Sequence, residues 1–183
     1  MNEIKRHTLS ILVDNEAGVL SQVTRLFSRK GYNIESLAVG TTDHPEISRI
    51  TIEIYGTLDM MEQIMKQLSK LIPVYSVKRL PPENSTRREL VLIKVKAETR
   101  DVRNEIIQLA NIFRANIIDV SPVSLTIAMI GEESKDSAMM TLLREFGIME
   151  LVRTGMVALE RGDKTIHEDF KEKGEFNYGK NVL

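Results

Sequence analysis

The stretch His7-Thr8-Leu9-Ser10-Ile11-Leu12-Val13-Asp14-Asn15-Glu16-Ala17-Gly18-Val19-Leu20 decides how the chain is read. Leu9, Ile11 and Val13 fall at alternate positions, so they share one face of a half-buried strand. Val19, Leu20, Val23, Leu26 and Phe27 then recur at helical spacing, and Gly31 ends their stripe. Between strand and helix lie Asn15 and Gly18. A glycine there lets the backbone approach a ligand closely, and the first helical turn presents N–H groups with about half a positive charge behind them. A small anion such as a carboxylate suits that turn. The same residues also read as an ordinary junction in which Asn15 caps the helix.

Outward from this point the pattern continues as a hairpin. Residues 33–40 and 47–55 read as strands joined by Asp43-His44-Pro45-Glu46, with Ile50, Ile52 and Ile54 toward the core. A second amphipathic helix carries Met61, Ile64, Met65, Leu68 and Leu71, Pro73 stops it, and a last strand runs through Val74 and Val77. The order is βαββαβ over residues 4–80. Pro81-Pro82-Glu83-Asn84-Ser85 has the composition of a linker, assigned to residues 81–87, and the same order restarts over residues 88–160. Its strands fall at 89–96, 116–120, 125–130 and 149–159, and its helices carry Val102, Ile106, Leu109, Ala110 and Phe113, then Ala138, Met139, Leu142, Leu143 and Phe146. The fold class is α+β, two tandem ferredoxin-like βαββαβ units. The second strand-to-helix turn, Ala97-Glu98-Thr99-Arg100-Asp101, has no glycine, so close backbone approach to a ligand belongs to the first unit alone. Residues 161–183 form a charged tail expected to be mobile or to order on a partner.

The chemistry that would make such a chain an enzyme is missing. Its 25 basic and 26 acidic side chains nearly cancel, so no net charge draws it to nucleic acid or to an anionic membrane. With no cysteine, thiolate metal sites and cysteine nucleophiles are excluded. His7, His44 and His167 are scattered, without a partner at metal-ligand spacing. No phosphate loop, nucleophile elbow or dinucleotide fingerprint occurs. The charged first residues lead straight into a strand pattern without a leader, and the longest apolar runs are too short for a bilayer, so a cytoplasmic location is expected. An RNA reader of this fold needs aromatics on its central strands, where Ile50, Ile52 and Ile54 stand. A phosphatase of the acylphosphatase kind needs an arginine after the first strand, where Asp14 and Glu16 would repel phosphate. An amino acid, with its ammonium group, is the better guest.

These residues resemble a known family, the regulatory small subunit of acetolactate synthase (acetohydroxyacid synthase). The likeness is carried by Asp14-Asn15-Glu16-Ala17-Gly18-Val19-Leu20, by Phe27-Ser28-Arg29-Lys30-Gly31-Tyr32-Asn33-Ile34-Glu35-Ser36 and by Ser48-Arg49-Ile50-Thr51. Ile112-Phe113-Arg114-Ala115-Asn116-Ile117-Ile118-Asp119-Val120 and Arg161-Gly162-Asp163-Lys164 extend it, so that it covers about residues 4–164. The resemblance implies an N-terminal ACT domain, a C-terminal ACT-like domain and a homodimer formed through the ACT domains. It also implies a separate catalytic subunit, which holds thiamine diphosphate, magnesium and FAD while this chain holds none of them. In such a pair the small subunit raises the partner's activity and makes it sensitive to feedback by a branched-chain amino acid, valine foremost, with leucine and isoleucine open. Carried over by motif, Asn15 and the N–H groups of Gly18, Val19 and Leu20 take the effector's carboxylate, and Asn33 with Ile34 meet it from a facing protomer. A free-standing ACT regulator of another enzyme or of transcription is the rival reading. It is weakened by the lack of a helix-turn-helix or a basic reading helix.

Overall fold

Alternation in the first strand is realised over Lys5–Asp14 (β1), and the helical stripe over Val19–Lys30 (α1). The unit continues through Ser36–Thr41 (β2), Ile47–Gly56 (β3), Leu58–Leu68 (α2) and Val74–Arg79 (β4). Its sheet has the order β2-β3-β1-β4, with every neighbouring pair antiparallel. β1 and β3 pair without a break from Lys5↔Gly56 to Asp14↔Ile47, which sets Leu9, Ile11 and Val13 beside Ile50, Ile52 and Ile54. Both helices cover that face with Val19, Val23, Phe27, Met61, Ile64 and Leu68. α1 stops at Gly31, whose φ of 69° is left-handed and lets Tyr32 N–H return to Phe27 O at 3.0 Å. Thr57 caps α2 by accepting a hydrogen bond from Met60 N–H at 3.3 Å. β2 begins later than the sequence pattern suggests, because Asn33 closes a side-chain bond to Glu35 Oε1 at 2.6 Å, a local alternative to the sheet ladder.

The computed structural model describes residues 3–169, which divide into this first unit and a second one, Arg87–Val157. Through it run β5 (Ser85–Lys96), α3 (Arg100–Ile112), β6 (Asn116–Val120), β7 (Ser124–Gly131), α4 (Glu133–Leu143) and β8 (Ile148–Arg153), and β9 (Val157–Glu160) starts at its last residue. Its sheet runs β6-β7-β5-β8, and β9 pairs with β5 off that path. Val91, Ile93, Val95, Ile106, Ala110, Ile127, Met129, Met139 and Leu143 fill its core.

Three boundaries differ from the sequence reading. The linker expected over 81–87 is a 3-10 turn at Pro82–Asn84 followed at once by β5, because Ser85 buries its hydroxyl on Pro81 O at 2.7 Å. The single closing strand expected over 149–159 is broken between β8 and β9 at Gly155, whose φ is 81°. In the described part of the charged tail, Ile166 is only 4% exposed and packs with Leu12 and Ile47. From Ala158 on, the described chain belongs to the first unit; residues 170–183 lie outside the described residues.

One acidic residue on α4 stands out that the sequence did not single out. Asp136 is wholly buried, beside the nearly buried Glu89, and neither of its carboxylate oxygens has a hydrogen-bond partner among the described residues. Its Oδ1 lies 2.2 Å from where a Cβ on Gly131 would stand, so only glycine fits there. Burial and then the Glu89 carboxylate push the Asp136 pKa up to about 6, against the pull of Arg153 and Lys135. Because the folded value is raised, the stabilisation is full below the unfolded value of 3.8 and is lost as pH rises through about 6. Urea unfolding should therefore show the chain less stable at about pH 8 than at about pH 5, by about 1 kcal/mol from this group, and Asp136→Asn should remove that difference.

Candidate functional site

Every group that shapes the turn after β1 is fixed by the sheet beneath it. Asp14 N–H donates to Pro73 O at 2.9 Å, and its Oδ1 accepts from the Tyr75 hydroxyl at 2.6 Å. Asn15 makes three bonds to the β2–β3 hairpin. Its N–H donates to Glu46 O and its Nδ2 to Pro45 O, both at 2.8 Å, and its Oδ1 accepts from Ser48 Oγ at 3.0 Å. Asn15 is therefore not the helix cap. That position belongs to Gly18, at φ 86° and ψ −11°, with no side-chain bond to the helix. Nothing lies within 4 Å of the place a Gly18 Cβ would occupy, so this face of the backbone is open.

The first N–H groups of a helix have no partner inside it. Here Val19 N–H turns back to Glu16 O at a long 3.3 Å, and Gln22 N–H reaches Gly18 O at 3.0 Å. The N–H groups of Gly18, Leu20 and Ser21 have no acceptor among the described residues. Open donors at the positive end of α1, next to a bare glycine, suit one carboxylate. Leu20 is 40% exposed and free to meet a ligand, whereas the Val19 side chain is buried in the core and cannot line a pocket. The chain does not bring Asn33 and Ile34 to this turn. α1 stands between them, twelve residues and thus about 18 Å of helix. Asn33 is exposed, and Ile34 packs partly on the core.

The second unit builds the same junction differently. Thr99 caps α3 with its hydroxyl, accepting from Val102 N–H at 3.3 Å. Arg103 then reaches under the turn, donating to Ala97 O and Ser121 O at 2.9 Å each. The threonine hydroxyl thus takes up the Val102 N–H, the counterpart of the open Ser21 N–H, and the arginine occupies the turn. A shallow cleft of about 190 Å3 between α1 and α2 is lined by Gln22, Leu26, Arg29, Lys30, Gln67 and Leu71, and includes none of the expected site residues. Among the described residues no group of three or more His, Cys, Asp or Glu could hold a metal ion, and no helix is long and apolar enough to cross a membrane.

Comparison with known proteins decides the family. The family model for the small subunit of acetolactate synthase matches residues 88–162, and that for the ACT domain of such small subunits matches residues 9–76. A probable acetolactate synthase small subunit of Archaeoglobus fulgidus is 50% identical over 159 residues, 87% of this chain and 99% of that protein. The chain belongs to the acetolactate synthase small-subunit family. The acetolactate synthase small subunit of Mycobacterium bovis is 49% identical over 88% of this chain and 96% of its own length. The crystal structure of the small subunit from Thermotoga maritima superposes with a TM-score of 0.82 at 41% identity, covering 88% of this chain and all of that one. The tandem ferredoxin-like fold is thus that of the small-subunit family.

Sequence reasoning missed the residues that hold the turn, Pro45, Ser48 and Tyr75. They lie about thirty and sixty positions from it, and only the register Val13↔Ser48 brings the hairpin alongside. Because Gly18 is left-handed with open space around it, Gly18→Ala should cost about 1 kcal/mol, all of it from the backbone, in a urea-unfolding comparison with the parent chain.

Proposed function

We propose that this chain is a regulatory subunit that raises the rate of a separate acetolactate synthase catalytic subunit and makes it sensitive to a branched-chain amino acid, valine first. Its family membership over both units supports a regulatory role, and one observation carries the choice of site: Gly18 caps α1 in an open, left-handed conformation beside unsatisfied N–H groups. In this reading the effector's carboxylate accepts from Gly18, Leu20 and Ser21 N–H. Leu20 contacts its apolar side chain, and the second amide hydrogen of Asn15 remains to bond the bound amino acid. Asn33 and Ile34 of a second protomer complete the site, since one chain holds them at the far end of α1.

Binding across two protomers favours one arrangement of a homodimer, and the catalytic subunit responds to that arrangement. Such control requires the effector to prefer one state, a coupling of about 1 to 3 kcal/mol in typical cases. Thiamine diphosphate, magnesium and FAD belong to the catalytic subunit, in the cytoplasm. Discrimination among valine, leucine and isoleucine rests on one methylene or its placement, worth about 1 to 3 kcal/mol in an apolar pocket.

The test is to mix the purified chain with the catalytic subunit and follow acetolactate formation with and without valine. The reading requires a rise in rate on mixing and a fall on adding valine; no complex and no rise would defeat it. Gly18→Asp places a carboxylate where the effector's must sit, so it should raise the valine concentration for half-inhibition by at least about tenfold, read in the same assay.

A further inference from the structure

The underside of the turn is closed by a residue from the far end of the described chain. Ile166 sits in an otherwise polar run, yet it is buried against Leu12, Ile47 and Tyr75. Each of these three abuts a group that fixes the turn. Leu12 lies two residues before Asp14 on β1. Ile47 is the β3 partner of Asp14 and the neighbour of Ser48, which bonds Asn15. Tyr75 carries the hydroxyl that binds Asp14. The segment that delivers Ile166 is tied down along its length. Arg161 N–H donates to Asn84 O at 2.9 Å and its Nε to Ser85 O at 3.1 Å. Lys78 pairs with Glu160 at 2.5 Å and donates to Thr165 O at 3.2 Å.

We propose that Ile166 is a positioning residue for the effector turn: by filling the space beneath Leu12, Ile47 and Tyr75 it holds Asp14 and Asn15 in place, and through them the open N–H groups of α1. Close packing makes this support stiff, because a void under three side chains from three strands is filled only by moving the strand ends. A ligand that binds a turn already ordered does not have to order it, so loss of the support appears as loss of affinity. The proposal rests on the amino-acid site described above, and its test separates the two.

Full-length parent chain, Ile166→Ala and Ile166→Leu are compared by amide hydrogen exchange without ligand and by calorimetry with valine. Ile166→Ala should speed exchange of the hydrogen-bonded amides of Asp14, Asn15 and Gln22 by about tenfold, leave those of the second unit unchanged, and weaken valine binding by about tenfold; Ile166→Leu should restore both to within about twofold. Unchanged exchange in the turn, faster exchange throughout both units, unchanged valine affinity or failure of Ile166→Leu to restore would each overturn it. If the parent chain binds none of valine, leucine and isoleucine, the effector reading fails, and the exchange comparison alone then decides whether Ile166 orders the turn.

Discussion

The three bonds from Asn15 to the β2–β3 hairpin hold the first unit's turn in the shape on which the proposed effector site depends. β1 and β3 pair for ten residues, and the ladder ends at Asp14↔Ile47, so the turn begins where ladder bonds run out. Asn15 continues the pairing with its side chain and fixes where the chain leaves the sheet. Only then can Gly18 adopt its left-handed conformation at the head of α1, with Val19 in the core and Leu20 outside. A free turn of the same sequence would sample many arrangements of these N–H groups, and the anion would have to select one of them.

The two units show how one architecture divides labour. Both bury an apolar sheet face under two helices, and both bring a strand into a helix at the same place in the topology. In the second unit a threonine hydroxyl caps that helix, and an arginine fills the turn. In the first the corresponding role falls to a glycine that satisfies nothing. The open turn costs stability, since a glycine cap and orphan N–H groups are worse than a threonine cap. Such a cost is the usual mark of a position kept for a ligand.

Much of this was legible in the sequence, because periodicity reports directly on burial. The alternation of Leu9, Ile11 and Val13 and the stripe through Val23 and Phe27 located β1 and α1, and the missing glycine at residues 97–101 separated the units. What failed to show were facts of register and long-range packing. Asn15 reads equally well as a cap until β3 is known to bring Pro45 and Ser48 beside it. Ser85, Thr86 and Arg87 look like linker because three consecutive polar residues show none of the apolar alternation that marks a strand. The break at Gly155 was hidden by apolar residues on both sides, and Ile166 by the charges around it. Asp136 looks solvated on a helix with acidic neighbours, and only the tertiary fold shows that α4 turns it inward against Gly131.

Under the proposed function the first unit's turn, and not its counterpart in the second, receives the effector. The most direct measurement is a valine titration of the full chain followed by backbone amide resonances. An effector seated at this turn gives saturable shifts at Gly18, Leu20, Ser21 and Asn33, with residues 97–103 unmoved. Shifts confined to the second unit, or saturable binding that leaves Gly18 and Leu20 unmoved, would contradict it.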